Sequence, residues 1–366
     1  MKLKFWPKEK KETPPKTKKS VAREWGDALM FAVVCATLIR WSTFEAYAIP
    51  SSSMEKSLLT GDFLFVSKLH YGSRTPITPV QVPLTHQTIW GTNITSFSDV
   101  IQLPYFRLPG FSTVKHNDPV VFNHPQEAER PIDLKTYLIK RCVGVAGDTF
   151  QIKARQVYIN GKAAGNPEDL QYSYFISTDR YLNNQFFLDQ DITDVYPVAG
   201  GYYVHTKPEK ATYIQSLNFV KEVKLLEALP GEAEPGIFPQ APAKYAWNKD
   251  NFGPLYIPKA GETITISPEM LPLYEKVILT YEHNKNAQIR NGKLYLNGKQ
   301  AAEYTFKQDY YFMMGDNRHN SNDSRYWGFV PEEYLVGKAT LVWLSVDSTA
   351  TFPDKIRWNR LFHTIN

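Results

Sequence analysis

An uncharged apolar run near the N terminus constrains the fold of this chain more than any other feature. The run covers residues 28–39 (ALMFAVVCATLI). Extended to Trp25 and Trp41, it reaches about 17 residues, the minimum for crossing a bilayer as a helix. Tryptophans are common where a membrane helix meets the headgroups. We therefore expect residues 23–42 to form a single transmembrane helix that anchors the rest of the chain.

The segment before this run, residues 1–22, is rich in lysine and proline and is typical of a disordered basic arm. Basic residues beside a membrane helix favour the cytoplasmic side. We expect a cytoplasmic N terminus, with the chain after residue 42 outside. Two alternatives are a nucleic-acid-binding tail and a signal peptide cleaved after the small-residue stretch 46–48. The long basic arm and the Ile-Pro that follows that stretch favour a retained anchor.

The remainder of the chain has the composition and patterning of β structure. Twenty-two tyrosines and 21 phenylalanines favour strands, and 25 prolines with 20 glycines imply many turns. Residues 157–162 and 294–299 each end a strand pattern in Asn-Gly, which predicts two similar hairpins. Further strand patterns cover residues 63–66, 119–122, 136–143 and 149–153, and a closing strand pair is expected in residues 335–346.

These patterns predict a mainly β fold with an inserted β-rich lobe between the two hairpins. The expected segments are a basic cytoplasmic arm (1–22), a transmembrane anchor (23–42), a main β domain (43–153 and 309–350), the inserted second lobe (154–308) and a basic, aromatic tail (351–366).

Metal and disulfide chemistry find no support in the sequence. The two cysteines, Cys35 and Cys142, lie in the apolar run and far downstream of it, so a bond between them is implausible. No His-Glu-x-x-His motif or paired cysteine ligand motif is present. We expect no metal, no cofactor and no nucleic-acid partner.

Three consecutive serines follow the predicted anchor within Ile-Pro-Ser-Ser-Ser-Met, residues 49–54. A serine hydroxyl needs a base to become a nucleophile, and none of the eight histidines stands out as that base. Lys140 is a candidate because period two places it with Leu138 and Cys142 on one strand face. Burial there would lower its pKa and supply the neutral amine that a base requires.

Two other functions remain open from the residues alone. Ser53 and Lys56 match the Ser-x-x-Lys motif of penicillin-binding acyl-enzymes, although the Ser-Asp-Asn and Lys-Thr-Gly partners of that motif are absent. The chain could also be a non-enzymatic, anchored envelope protein that only binds.

Four motifs in order resemble those of bacterial type I signal peptidase, the Ser-Lys leader peptidase. They are residues 49–54 (IPSSSM) with Gly61-Asp62, residues 117–122 (NDPVVF), residues 140–148 (KRCVGVAGD) and residues 315–328 (GDNRHNSNDSRYWG). The chain departs from the family pattern at Lys56, where proline is usual, at Ser57, where threonine is usual, and at His319, where aspartate is usual.

The resemblance implies a role for each matching residue. Ser53 would be the nucleophile, Lys140 the general base, Ser51 an oxyanion-hole donor, and Ser321 would orient the Lys140 amine. Asp323 and Arg325 would form a supporting ion pair. Met54, Leu58 and Ile139 are the expected lining of the substrate pockets.

The resemblance also implies a reaction and a location. The chain would be a serine endopeptidase that removes N-terminal signal peptides from exported preproteins. Its partners would be those preproteins and the lipid bilayer. It would sit in the bacterial inner membrane as a single-pass protein, with the catalytic domain on the outer, periplasmic side.

Overall fold

The computed structural model describes residues 19–365 and shows a mainly β architecture, as the sequence predicts. Most of the basic arm predicted for residues 1–22 lies outside the described residues. The strands are β1 (Phe44–Ala48), β2 (Asp62–Ser67), β3 (Pro119–Asn123), β4 (Tyr137–Gly144), β5 (Thr149–Lys153), β6 (Gln156–Ile159), β7 (Lys162–Ala163), β8 (Tyr172–Thr178), β9 (Val195–Val198), β10 (Gly201–Thr206), β11 (Val220–Leu225), β12 (Phe252–Tyr256), β13 (Thr263–Thr265), β14 (Ala287–Arg290), β15 (Lys293–Leu296), β16 (Lys299–Ala301), β17 (Glu303–Thr305), β18 (Tyr310–Met314), β19 (Val330–Pro331), β20 (Leu335–Ser345) and β21 (His363–Thr364).

Helices are few and, after the first, short. They are α1 (Val21–Ser42), α2 (Asn184–Asp189), α3 (Pro208–Gln215), α4 (Leu271–Lys276) and α5 (Ser324–Trp327). Single 3-10 turns cover Ser52–Met54, Ile132–Leu134, Glu332–Tyr334 and Trp358–Arg360, and a π turn, Val277–Tyr281, continues α4.

Helix α1 coincides with the anchor predicted for residues 23–42. The Ser20 hydroxyl caps its N terminus by accepting a hydrogen bond from the Arg23 N–H. Large apolar side chains, among them Trp25, Phe31 and Leu38, are exposed along it. Across residues 19–365, no helix combines the length and the apolar character needed to cross a membrane.

The main β domain predicted for residues 43–153 and 309–350 is built on one antiparallel sheet with the order β1-β2-β20-β3-β4-β18-β19, to which β21 adds beside β20. Residues 335–346, expected to form a strand pair, instead form the single long strand β20, which bridges β2 and β3. Both pairings contain register shifts of the kind that β-bulges produce. Strand β4 therefore lies in the interior of the sheet, between β3 and β18.

Both faces of this sheet are packed at β3 and β18, in which every residue is buried. Val120 and Phe122 of β3 join one apolar cluster and Val121 joins the other, as the period of two requires. On β4, Lys140 lies directly opposite Val120. A lysine at this position is removed from water on both sides of the sheet.

The segment predicted as an inserted lobe contributes to two separate apolar clusters. Strands β8–β11 form a four-stranded sheet over their own cluster, which includes Ile176, Val204 and Ile214. In contrast, β12 pairs with β5, and Phe252 packs in the cluster of the main sheet. The segment 154–308 therefore splits between an outlying sheet and the main body.

The two predicted Asn-Gly hairpins are confirmed. They are the β6–β7 and β15–β16 pairs. At each turn the asparagine and the glycine adopt positive φ, 51° and 79° in both copies. This backbone is the one that two-residue hairpin turns require.

Candidate active site

Ser53 and Lys140 are in direct contact although 87 positions separate them. The Lys140 Nζ lies 2.5 Å from the Ser53 Oγ and also donates a hydrogen bond to the Ile139 carbonyl at 3.0 Å. A serine hydroxyl within hydrogen-bonding distance of an amine is the geometry that nucleophile activation requires.

Burial gives the Lys140 amine its chemical character. The residue is only 4% exposed because β4 lies inside the sheet. Burial lowers the pKa of Lys140 from 10.5 to about 8, and the nearby carboxylates of Asp323 and Asp316 oppose that shift. At mildly alkaline pH an appreciable fraction of this amine is neutral and able to accept a proton.

Ser53, the predicted nucleophile, lies on the 3-10 turn Ser52–Met54 that follows β1; this segment is called the nucleophile turn below. Met54 anchors the turn, since it is 1% exposed and packs in the apolar cluster that contains Val121. The Asn317 backbone N–H donates to the Ser53 carbonyl at 3.2 Å, and the Asn317 Nδ2 donates to the Ser52 carbonyl at 3.1 Å. The turn is therefore held by the packing of Met54 and by hydrogen bonds from the 315–323 loop.

Ser51 precedes this turn in extended conformation and is exposed. No described residue forms a hydrogen bond with its hydroxyl, and the residue lines the same cavity as Ser53. Its hydroxyl is therefore available to a molecule bound beside Ser53.

Ser321 lies close to the turn that carries Ser53. Its Oγ is buried and forms no well-aligned hydrogen bond with Lys140 or any other of residues 19–365, although it is near enough to the Asp323 carboxylate to help lower the pKa of that group. A Cβ added to Gly315 would lie 2.3 Å from this Oγ and 2.4 Å from the Ser53 carbonyl oxygen. Glycine at position 315 is thus what allows the loop to pack against the turn.

Asp323 and Arg325 form a buried, bidentate ion pair. The Arg325 Nε and Nη2 donate to the Asp323 carboxylate at 2.9 and 2.8 Å, and the Gly315 N–H donates to it at 3.1 Å. Burial by itself would raise the pKa of Asp323, but the Arg325 guanidinium reverses this and holds it below its ordinary value. The pair fixes the loop and places a negative charge near Lys140.

A second ion pair, between Arg141 and Asp316, was not foreseen from the sequence. The Arg141 Nη2 lies 2.7 Å from the Asp316 Oδ2, which also accepts from the Ser57 hydroxyl at 2.6 Å. Because neighbours on a strand point to opposite faces, Lys140 and Arg141 enter different surroundings. The signal was present in the sequence as two adjacent cations within an otherwise apolar strand.

An apolar cavity of about 70 Å³ opens beside Ser53 and Lys140. Of the predicted pocket residues, Met54 and Ile139 line it. Leu58 does not line it, and packs in the apolar cluster beneath the turn. The sequence analysis missed the other apolar lining residues, which are Tyr47, Ala48, Ile49, Pro50, Leu64, Val121, Tyr137 and Leu138.

Comparison with known proteins identifies the family. The sequence model described as signal peptidase, peptidase S26, matches residues 22–207 and 257–344. The chain belongs to this signal peptidase family. The resemblance inferred from the four motifs is therefore confirmed, and so is the prediction that the chain is a serine endopeptidase of this type.

Curated relatives named signal peptidase I are similar over most of their length. The chain is 27% identical to one from Buchnera aphidicola, covering 88% of this chain and 76% of that protein. It is 28% identical to one from Haemophilus influenzae, covering 94% and 76%. For one from Rickettsia felis the identity is 25%, covering 92% and 85%.

Two departures of this signal peptidase from the family pattern have partners in the segment 154–308. The Lys56 Nζ forms an ion pair with Asp191 at 2.8 Å, and no described contact joins it to Ser53. The His319 Nε2 lies 2.8 Å from the Asp250 carboxylate, and its Nδ1 accepts from the Ser173 N–H at 3.2 Å. Burial lowers the pKa of His319, which Asp250 opposes, so the ring is held neutral near pH 7.

Within residues 19–365, no group of three or more His, Cys, Asp or Glu side chains is arranged to hold a metal ion.

Proposed function

We propose that this signal peptidase cleaves signal peptides with Ser53 as nucleophile and Lys140 as general base. The observation that carries the proposal is the 2.5 Å contact between the Ser53 Oγ and a lysine whose pKa burial lowers to about 8. The neutral amine takes the hydroxyl proton while the oxygen attacks the scissile carbonyl carbon. The resulting ammonium then donates a proton to the leaving amine, and water hydrolyses the acyl-enzyme.

The oxyanion formed in that attack needs hydrogen-bond donors. The Ser51 hydroxyl and the Ser53 backbone N–H are our candidates, since Ser51 has no partner among the described residues and lines the cavity with Ser53. Each such donor typically contributes about 3 kcal/mol to lowering the barrier. For Ser321, the buried hydroxyl beside Gly315, which makes no well-aligned hydrogen bond, supports a role in orienting Lys140 once a substrate is bound.

The apolar cavity supports selection for small side chains before the cut. The cavity is narrow and mostly apolar, and its walls include Met54, Ile139 and Leu138. Strand β1 is an edge strand of the main sheet and runs directly into the cavity. An extended preprotein segment can pair with such an edge and present alternate side chains to pockets.

Although α1 lacks the combined length and apolar character of a typical membrane-crossing helix, we further propose that it holds the enzyme at the bacterial inner membrane, with its N terminus cytoplasmic and the catalytic domain on the outer side. The helix has 22 residues, which corresponds to about 33 Å at 1.5 Å per residue. Its apolar side chains Trp25, Leu29, Phe31 and Leu38 are exposed. Tethering near the bilayer raises the effective concentration of membrane-bound preproteins without any new contact.

The test is cleavage of a preprotein by the full chain in detergent and by three variants. Ser53→Ala and Lys140→Met should each reduce cleavage at least 1,000-fold, an order of magnitude typical of removing a member of a catalytic pair. Lys56→Ala should cleave almost normally, because Lys56 contacts Asp191 instead of Ser53. Normal cleavage by Lys140→Met would disprove the assignment of the base.

Lys135→Met is the matched control for the loss of a buried lysine. Lys135 is 5% exposed and donates to the Tyr334 hydroxyl, outside the site. If it were as inactive as Lys140→Met, loss of structure would explain both results. A dead Lys56→Ala beside an active Lys140→Met would instead favour the penicillin-binding type of mechanism.

A further inference from the structure

Residues 191–194, the turn that precedes β9 of the outlying sheet, contact the residues next to the nucleophile turn. The Thr193 hydroxyl donates to the Glu55 carboxylate at 3.1 Å, and Asp191 pairs with Lys56 at 2.8 Å. These contacts fall on the two residues that directly follow Met54. The inserted segment therefore touches the catalytic half of the molecule where the nucleophile is held.

Asp194, in the same turn, contacts two side-chain amides of the 315–323 loop. Its Oδ2 accepts from the Asn317 Nδ2 at 3.5 Å and from the Asn320 Nδ2 at 3.3 Å. The same two nitrogens hold Ser52. Asn317 donates to the Ser52 carbonyl at 3.1 Å, and Asn320 donates to the Ser52 hydroxyl at 3.2 Å.

Each amide nitrogen thus donates one hydrogen bond to Ser52 and one to Asp194. An asparagine amide can turn over so that its oxygen and nitrogen exchange places, with almost no change in shape. A carboxylate only accepts hydrogen bonds, so Asp194 favours the orientation in which both nitrogens face it. The reversed Asn317 amide would direct its oxygen at the Ser52 carbonyl oxygen and repel it.

Ser52 directly precedes the nucleophile, so its position governs that of the Ser53 hydroxyl. The Ser53 Oγ is 2.5 Å from the Lys140 Nζ, and reactions between held groups are sensitive to displacements well below 1 Å. A loosened Ser52 would lower the fraction of molecules in which this contact is formed.

We propose that Asp194 is a positioning residue, which acts on Ser53 by fixing the amides of Asn317 and Asn320. The inference rests on the proposed roles of Ser53 and Lys140. It gives the outlying sheet a part in catalysis, namely to hold the nucleophile turn and the 315–323 loop in register. A backbone bridge supports this part, since the Gln171 N–H donates to the Asp316 carbonyl and the Arg318 N–H donates to the Gln171 carbonyl, both at 3.0 Å.

Two of the three family departures also have partners in the segment 154–308. Lys56 lies just after the nucleophile turn and His319 lies in the 315–323 loop, and their partners are Asp191 and Asp250. The third departure, Ser57, donates instead to Asp316 of the 315–323 loop.

The experiment measures kcat and KM for a signal-sequence peptide with the full-length enzyme in detergent. Asp194→Ala should lower kcat about 10-fold and Asp194→Asn about threefold, as expected for the loss of hydrogen bonds of ordinary net strength. KM should stay within twofold, because Asp194 does not line the cavity. Asp179→Ala, an exposed aspartate of the same sheet, should match the wild type in both constants.

A double-mutant comparison separates positioning from general loosening. If Asp194 acts through the amides, adding Asp194→Ala to Asn320→Ala should lower kcat by less than Asp194→Ala does in the wild type. Full additivity, an unchanged kcat in both Asp194 variants, or a rise in KM alone would overturn the proposal. Thermal unfolding of each variant shows that it is folded at the assay temperature, and the isosteric Asp194→Asn serves if the alanine variant is not.

Failure of this inference is distinguishable from failure of the proposed function. A wild-type enzyme that depends on Ser53 and Lys140 but is indifferent to Asp194 refutes the inference alone. An enzyme that cleaves normally as Ser53→Ala refutes the proposed function.

Discussion

At the scale of a single residue, the role proposed for Lys140 conflicts with the ordinary chemistry of lysine. A general base must be neutral, whereas a lysine in water is charged at pH 7. Burial resolves the conflict by making the charged form costly, which lowers the pKa to about 8. Lys140 is therefore neutral in a larger fraction of molecules near pH 8 than an ordinary lysine, and it contributes less to stability.

The rate of cleavage should rise with pH through this value. Below pH 8 the Lys140 amine is protonated and cannot accept the Ser53 proton, so kcat/KM should fall about 10-fold for each pH unit. Above pH 8 the profile should level off. A kcat/KM profile measured from pH 6 to 10 checks this expectation, and a flat profile would contradict the assignment of Lys140 as base.

The inactive variant Lys140→Met should be more stable than the wild type at pH 7. The wild type carries a charged, buried amine there, and the lowered pKa corresponds to a penalty of about 1–3 kcal/mol. Between pH 8 and 10.5 the folded state has lost this proton while the unfolded state retains it, so the wild type gains stability and the difference shrinks. Denaturant unfolding of both proteins at pH 7 and at pH 10 measures this difference in unfolding free energy. An equal difference at both pH values would show that the gain comes from packing alone.

At the scale of elements, the site is a strand facing a loop. Strand β4 directs Lys140 and Arg141 to opposite faces, and the 315–323 loop supplies carboxylates to both through Asp323 and Asp316. Asp323 is in turn paired with Arg325, at the start of α5. The loop is therefore a connected set of buried charges whose members depend on one another.

Removing one charge from this set should be severely destabilising. Arg325 is 1% exposed, and Arg325→Met would leave Asp323 charged and unpaired in the interior. The expected loss is about 3–5 kcal/mol of unfolding free energy. Arg130→Met is the control, because the exposed Arg130–Glu127 pair should contribute less than about 0.5 kcal/mol. Similar losses in both variants, measured by denaturant unfolding, would rule out this account.

At the scale of the whole molecule, both ends of the described chain adjoin the main sheet. Helix α1 leads directly into β1, an edge strand beside the cavity. The tail predicted for residues 351–366 packs back, since β21 adds to β20 and Arg360 pairs with Asp62 at 2.6 Å. Asp62 is fully buried beside the turn that begins β2. The tail thus stabilises a segment that follows the nucleophile.

The proposed anchor predicts how the protein partitions between membrane and solution. After expression in bacteria, the full chain should stay in the membrane fraction during an alkaline carbonate wash, and a variant lacking residues 23–42 should be released. Immunoblotting of the two fractions measures this. Ser53→Ala, which keeps the anchor, should behave like the full chain. Release of the full chain by the wash would refute anchoring through α1.

Local features of the fold could be predicted because they depend on neighbours in sequence. The two Asn-Gly hairpins formed as expected, since asparagine and glycine accept the positive φ of the turn wherever the strands lie. The alternation around Lys140 was readable for the same reason. The strand pair expected in residues 335–346 was wrong, because nothing local reveals that β20 must bridge two other strands.

The sequence by itself determined the family and, through ordered motifs, the candidate pair Ser53 and Lys140. Only the tertiary structure decided which lysine meets the serine. Lys56 is three residues away but is turned towards Asp191, whereas Lys140 is brought to 2.5 Å by the pairing of distant strands. The role we propose for Asp194 was invisible for the same physical reason: contacts of this kind depend on chain packing, which spacing along the chain does not report.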